Sequence, residues 1–116
     1  MSAHFPKTRL RRTRAAAWSR SLHRENTLSP ADLIWPLFVI EGENEEQPVG
    51  SLPGVSRWSI DLLLDRVGEA IELGIPCVSL FPNTPAEKRS DDAIEAWNSD
   101  NLICRAVRAI RDRFGD

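Results

Sequence analysis

Long apolar segments are missing from this sequence of 116 residues. No apolar run approaches the roughly 20 residues that a membrane-spanning helix needs, so we predict no membrane protein. The basic N-terminus is not followed by the apolar stretch of a secretory signal, and we therefore expect a cytoplasmic protein. The length allows one domain at most, since domains typically take about 100–200 residues.

Cysteine and histidine are scarce, with two of each. Cys77 and Cys104 are far apart and form no CxxC motif, so we predict buried, reduced thiols; a disulfide or a metal pair is the less favoured alternative. His4 and His23 have no metal-ligand spacing and are expected at the surface. The sequence therefore predicts no metal site in this chain.

Recognisable catalytic motifs are also missing. There is no Ser/His/Asp grouping in a plausible context and no HExxH motif. Lys7 and Lys88 are the two lysines. Lys88 follows the second predicted strand, on the side where α/β barrels place active sites, but the polar run 87–92 around it favours a solvated surface. We assign no catalytic, substrate-binding or metal-binding residue.

Charge is divided unevenly along the chain. Residues 1–24 hold seven basic residues and no acidic one, whereas residues 25–116 hold eight basic and 17 acidic residues, a net charge of −9. A basic segment of this kind can bind nucleic acid, an anionic membrane or the acidic body of a neighbouring copy. Because residues 9–24, which hold the arginines, contain only one aromatic residue, Trp18, and no helical recognition face, a nucleic-acid site is not expected.

Residues 1–30 show little apolar periodicity and are predicted to form an extended N-terminal arm that needs a surface to lie on. Residues 15–24 could form a short helix, and residues 27–32 read as a turn because of Pro30. We expect the arm to be ordered only against the acidic surface of a neighbouring chain.

Two apolar runs without polar alternation predict strands covered on both faces, as in a parallel sheet. The first covers residues 33–40, with residues 37–40 as the paired part and Pro36 at the entrance, because proline is normally excluded from central strands. The second covers residues 75–81 and is closed by Pro82.

Between the two strands the sequence predicts a helix. Ser59 is the expected N-cap, the apolar stripe begins at Ile60, and Gly74 is the expected C-cap. Strand, helix and strand make a βαβ unit. Residues 41–53 before this helix read as a polar loop, whose four glutamates would repel a nucleotide phosphate.

A final helix is predicted after residue 97, capped by Asp100 or Asn98. Its apolar residues share one face, and Arg105, Arg108 and Arg111 point away from it. The fold class is therefore α/β with the order β-α-β-α and no closure of the sheet.

Five stretches resemble the opening of the porphobilinogen synthase family, also called δ-aminolevulinic acid dehydratase, in the family's order and spacing. They are residues 24–29 (RENTLS), 32–42 (DLIWPLFVIEG), 51–59 (SLPGVSRWS), 74–82 (GIPCVSLFP) and 96–110 (AWNSDNLICRAVRAI). The resemblance runs from about Arg9 to Phe114. It implies a cytoplasmic TIM barrel, of which the chain would supply the arm (residues 1–30) and the first two βα units (residues 31–116).

The resemblance also implies an activity. Family members condense two molecules of 5-aminolevulinate into porphobilinogen in haem and chlorophyll synthesis, through Schiff bases on two lysines of later strands. They form homo-oligomers, commonly octamers, through the arm, and depend on zinc or magnesium. The family's lysines, metal ligands and substrate-carboxylate-binding residues align beyond Asp116, so Lys7 and Lys88 are not substitutes for them. Trp35, Phe38 and Phe81 match family positions and are interpreted as packing residues.

Two hypotheses follow. In the first, the chain is the N-terminal portion of a porphobilinogen synthase, inactive alone and binding no cofactor itself. In the second, it is a non-catalytic interaction fragment whose basic arm binds an acidic protein partner.

Overall fold

The computed structural model describes residues 4–6, 8–9 and 11–115, so Lys7 lies outside the described residues. The helices and strands, in chain order, are α1 (Ala17–Leu22), β1 (Ile34–Val39), β2 (Glu46–Pro48), β3 (Ser56–Trp58), α2 (Ile60–Glu72), β4 (Cys77–Pro82) and α3 (Leu102–Phe114). Short 3₁₀ helices cover Arg12–Arg14, Pro30–Asp32, Ala86–Lys88 and Ile94–Trp97. No helix in this described part combines the length and the apolar character that crossing a membrane requires.

Strands β1 and β4 form the parallel pair that the two apolar runs predict. They pair along their full length, from Ile34 opposite Cys77 to Val39 opposite Pro82. The predicted exclusion of Pro36 is wrong, because it lies inside β1 opposite Ser79. The strand tolerates proline there because its second neighbour, β3, pairs only with Phe38 and Val39.

Strand β2 lies within residues 41–53, which the sequence predicts as a loop, and it forms a β-hairpin with β3. Strand β2 pairs antiparallel with β3, and β3 pairs parallel with β1, which gives the sheet order β2-β3-β1-β4. Ser56 Oγ donates to Glu46 Oε1 (2.8 Å), and Arg57 Nη1 donates to Gln47 Oε1 (3.0 Å). Periodicity missed the hairpin because three-residue strands, one of them ending in proline, carry no recognisable apolar pattern.

Helix α2 has the predicted boundaries. Ser59 occupies the N-cap position, and Gly74 adopts a φ of +73° just after the helix, a conformation that favours glycine. The Ser59 hydroxyl does not cap the helix; it accepts a hydrogen bond from Glu45 N (2.9 Å) and so joins the hairpin to α2.

Helix α3 begins later than predicted, and its N-cap is Asn101. The Asn101 side-chain oxygen accepts a hydrogen bond from Cys104 N (2.9 Å). The prediction of Asp100 or Asn98 is wrong because Asn98 Oδ1 instead accepts from Asp100 N (3.0 Å), in a turn that precedes the helix. Val107 on the predicted apolar face is 44% exposed.

Both long helices cover the same face of the sheet. The core lies between them and the sheet and consists of Leu37, Val39, Leu63, Val67, Leu102 and Ala106, with Trp35, Val78 and Leu80 among the partly buried neighbours. Alternate residues of a strand point to opposite faces. The other face therefore carries Ile34, Pro36 and Phe38 of β1 beside Cys77, Ser79 and Phe81 of β4.

This second face, which we call the open face, is apolar and uncovered in the described part of the chain. Ile34 is 64% exposed, and the rings of Phe38 and Phe81 lie 5.7 Å apart. Cys77 is exposed, which contradicts the prediction of two buried thiols, because it starts β4 on this face. Cys104 is half-buried, and both thiols are free.

The arm contains the predicted short helix, α1, which is held to the preceding turn by Ser19 Oγ donating to Thr13 O (2.9 Å). Trp18 and Leu22 are 70% and 76% exposed. The radius of gyration is 22.0 Å, against about 13 Å for a compact domain of this length. The chain is thus a small α/β body with an extended arm.

Candidate functional site

A cleft opens at the carboxyl ends of the parallel strands β1 and β4. Its volume is about 360 Å³. Glu41 lies on it two residues after β1, and Pro82 and Thr84 line it at the end of β4. Lys88 lies on the connection between β4 and α3, and Asn101 lies at the N-terminus of α3. The ends of β1 and β4, the connection after β4 and the start of α3 therefore converge on this space.

Glu41 forms ion pairs with two basic side chains at the cleft. Arg105 Nη2, in the first turn of α3, donates to both carboxylate oxygens at 2.7 and 2.6 Å. Lys88 Nζ donates to Oε1 at 3.1 Å. The Glu41 side chain is 32% exposed, so this ion-pair cluster lies at the mouth of the cleft.

Glu41 and Arg105 each stabilise the charged form of the other. The hydrogen bond from Arg105 lowers the pKa of Glu41; partial burial opposes this effect, and Lys88 adds to it. The same bond raises the pKa of Arg105. Glu41 is therefore ionised at neutral pH and unsuited to serve as a general acid there.

Sequence reasoning missed this cluster. From the sequence, Glu41 is only one of the glutamates that repel phosphate, and Arg105 is a residue that faces away from the core. The pairing joins positions 41 and 105, and no periodicity reports on so distant a pair. The signal that was available is positional: the carboxyl ends of neighbouring parallel strands meet at one edge of the sheet.

The residues singled out in the sequence lie in different parts of the structure. Lys88 lies on the cleft, with a side chain 42% exposed and paired with Glu41, so it is more constrained than the predicted solvated surface residue. Trp35 packs on the core, whereas Phe38 and Phe81 contact each other on the open face. His4 and His23 are exposed, as predicted.

Among the described residues, no group of three or more histidine, cysteine or acidic side chains could hold a metal ion. Cys77 and Cys104 are assigned to no such group. The ion pairs of Glu41 with Lys88 and Arg105 hold charged side chains at the cleft.

A parallel βαβ unit with a cleft at the carboxyl ends of its strands defines the class of α/β proteins that bind their ligands at this edge of the sheet. The family model of delta-aminolevulinic acid dehydratase matches residues 7–116. The chain belongs to that family, the porphobilinogen synthases.

Curated relatives agree over almost the whole chain. The delta-aminolevulinic acid dehydratase of Bradyrhizobium diazoefficiens is 47% identical over 106 residues, which cover 91% of this chain and 30% of the relative. That of Chlamydia pneumoniae is 39% identical over 114 residues, covering 98% and 34%. The chain thus spans about a third of the length of these relatives.

A solved structure confirms the resemblance in three dimensions. The Toxoplasma gondii enzyme, crystallised with its reaction product porphobilinogen, superposes with a TM-score of 0.84 and 42% sequence identity. The match covers 94% of this chain and 31% of that one. The chain therefore has the fold of one part of such an enzyme.

Proposed function

We propose that the chain forms the arm and the first two βα units of the TIM barrel of a porphobilinogen synthase, which condenses two 5-aminolevulinate molecules into porphobilinogen with loss of water. The observation that carries this proposal is the family match over residues 7–116. In this assignment residues 1–30 are the arm and residues 31–116 belong to the barrel.

The open face supports the barrel assignment physically. In a closed (β/α)8 barrel, one face of every strand points into a packed interior and helices cover the other face. Here α2 and α3 cover one face of β1 and β4, while Ile34, Phe38 and Phe81 are left on the other. Further parallel strands would bury these side chains and would complete the edge of β4.

We assign none of the catalytic, substrate-binding or metal-binding roles to these 116 residues. A lysine that forms a Schiff base must present an uncharged amine in a pocket. Lys88 instead follows a strand by several residues, is 42% exposed and is in an ion pair with Glu41. The residues of this chain would form part of the barrel at the carboxyl ends of its strands, and the reacting lysines would come from other strands.

The same proposal covers cofactor, assembly and location. We expect the complete enzyme to depend on magnesium or zinc bound by residues other than those described here. We also expect a homo-oligomer, commonly an octamer in this family, assembled through the arm in the cytoplasm. Exposed Trp18 and Leu22 on the arm support a role in association.

The exposed, basic arm also favours the second hypothesis, an interaction fragment that binds an acidic protein. The two hypotheses differ in whether the chain takes part in chemistry. Borohydride reduction of a Schiff base links substrate covalently to a lysine, which makes it a direct test.

The experiment compares the 116-residue chain with a protein that joins it to the C-terminal two thirds of the Bradyrhizobium relative. Both are incubated with 5-aminolevulinate and borohydride and analysed by mass spectrometry. We expect adducts and porphobilinogen only with the joined protein. A joined protein that folds without either product would favour the interaction fragment. An adduct on Lys7 or Lys88 of the short chain would contradict the assignment of roles.

A further inference from the structure

The connection between β4 and α3 forms one wall of the cleft, and we call its residues 84–97 the cleft loop. None of these residues is buried, and its two large apolar side chains, Ile94 and Trp97, are 65% and 87% exposed. The loop is fixed at its base, where Asn83 N donates to Val39 O (2.7 Å). It lacks the apolar contacts that hold a segment firmly in place.

The polar contacts of the cleft loop are almost all local. Arg89 Nε donates to Thr84 O (2.8 Å), and Ser90 Oγ donates to Asp92 Oδ1 (2.5 Å). The other side-chain hydrogen bonds that the described residues show for this loop join positions at most six apart. The bond from Lys88 to Glu41 is the exception, because it ties the loop to the end of β1.

The two partners of Glu41 are held differently. Arg105 contacts both carboxylate oxygens and belongs to α3, whose neighbouring Ala106 lies in the core. Lys88 contacts one oxygen at a longer distance and belongs to the exposed loop. When Lys88 leaves, Glu41 keeps its pairing with Arg105, so opening creates no unpaired carboxylate. Breaking the loop contact is therefore the easier of the two changes.

We propose that Glu41 is a positioning residue that latches the cleft loop: Arg105 holds its carboxylate in place, and the Lys88–Glu41 pair keeps the loop against the cleft. Breaking that pair lets residues 84–97 swing away while the sheet and α3 stay folded. The latch controls access to the cleft and concerns this chain alone, so it holds or fails independently of the proposed enzymatic function.

Limited trypsin digestion of the full chain tests the latch. The bond between Arg89 and Ser90 lies in the cleft loop, and because Arg89 is hydrogen-bonded to Thr84 and Asn83 we expect trypsin to cut it faster when the loop opens. Its cleavage rate is measured by mass spectrometry, with cleavage in the arm (residues 9–24) as the internal reference. We expect Lys88→Gln and Glu41→Gln each to accelerate it about two- to fivefold, the range that an exposed ion pair supports.

Two further variants separate a latch from a general structural effect. Lys88→Arg keeps the charge and should retain the slow cleavage of the unsubstituted chain. The double variant with both glutamines should be cut no faster than either single variant, since both remove the same pair. Glu43→Gln, a nearby exposed glutamate, is the matched control and should have no effect.

Lys88→Gln is the decisive variant, because it leaves the Glu41–Arg105 pair intact. Unchanged cleavage at Arg89 in this variant would overturn the latch, as would additive effects in the double variant. Loss of the native circular dichroism signal by Lys88→Gln would also contradict it, because the latch predicts local opening of a folded chain.

Discussion

Ser59 and Glu45 exchange two hydrogen bonds: Ser59 N donates to Glu45 O (3.0 Å), and Glu45 N donates to Ser59 Oγ (2.9 Å). Ser59 is fully buried. The adjacent Asn44 N donates to Asp61 Oδ2 (2.8 Å), in the first turn of α2. The start of α2 thereby provides hydrogen-bond partners for the turn that leads into β2 and holds that turn against the helix.

Replacing Ser59 with alanine should loosen this junction. The change removes the acceptor of the part-buried hydrogen bond from Glu45 N, and we expect a loss of about 0.5–1.5 kcal/mol in the free energy of unfolding. Urea titration followed by circular dichroism measures it. Ser51→Ala, at an exposed position before the hairpin strand β3, should change stability much less. Equal effects of the two substitutions would contradict the role of Ser59.

Removing the Asn101 cap should destabilise α3. Asn101→Ala removes the acceptor for Cys104 N, and loss of such a cap typically costs about 1 kcal/mol. Asn101→Asp keeps an acceptor at a helix N-terminus and should preserve most of the stability. Thermal unfolding of the three proteins decides the matter; if the aspartate variant were as unstable as the alanine variant, capping would not be the cause.

Acid should remove the stabilising effect of Glu41. Its pKa is lowered in the folded state, chiefly by the hydrogen bond from Arg105, so the unfolded chain binds a proton more readily. The stabilisation is therefore fully present above the ordinary carboxyl pKa and is lost as pH falls through the lowered folded value.

The matched comparison is Glu41→Gln, which cannot titrate. We expect it to be less stable than the unsubstituted chain at pH 7, by roughly 1 kcal/mol or less, and expect the difference to shrink below about pH 4. Urea unfolding at several pH values measures the difference. The lowered pKa values of Asp32, Asp61 and Asp92 affect both proteins alike. A difference that stays constant into acid would contradict the assignment.

The sequence predicts the long elements well because their signals are local. The apolar runs around Val39 and Leu80 and the stripe of α2 depend on neighbouring residues, and Gly74 marks a helix end by its own backbone freedom. The α3 cap, Asn101, lies one position after the predicted Asp100 and three after Asn98, because all three residues are good caps and only the surrounding turn selects among them.

The hairpin and the ion-pair cluster at the cleft depend on contacts between residues that are distant in the sequence. Ser59 and Asp61 hold the turn that leads into β2 and so support the β2–β3 hairpin, and no strand propensity in Glu46–Pro48 predicts these contacts. The cluster at the cleft pairs Glu41 with residues 47 and 64 positions away. Such pairings follow only once the sheet order brings the ends of β1 and β4 together.

The arm offers a prediction about assembly. Trp18, Leu22 and Leu28 are all at least 70% exposed, and residues 1–24 are basic while the rest of the chain is strongly acidic. Apolar and cationic groups together favour docking on an acidic surface of another copy. We expect trypsin to cut first between Arg9 and Arg24 in the monomer, and the same bonds to be protected in an assembled oligomer.

The arm prediction is tested on size-separated monomer and oligomer fractions digested in parallel. Trp18→Ser should lower the oligomer fraction, because it removes a large apolar contact. Trp97→Ser, which alters an even more exposed tryptophan outside the arm, is the control and should leave the fraction unchanged. Strong protection of the arm in a proven monomer would contradict docking on a neighbour. An identical loss of oligomer in both variants would show that association depends on exposed tryptophans in general and not on the arm.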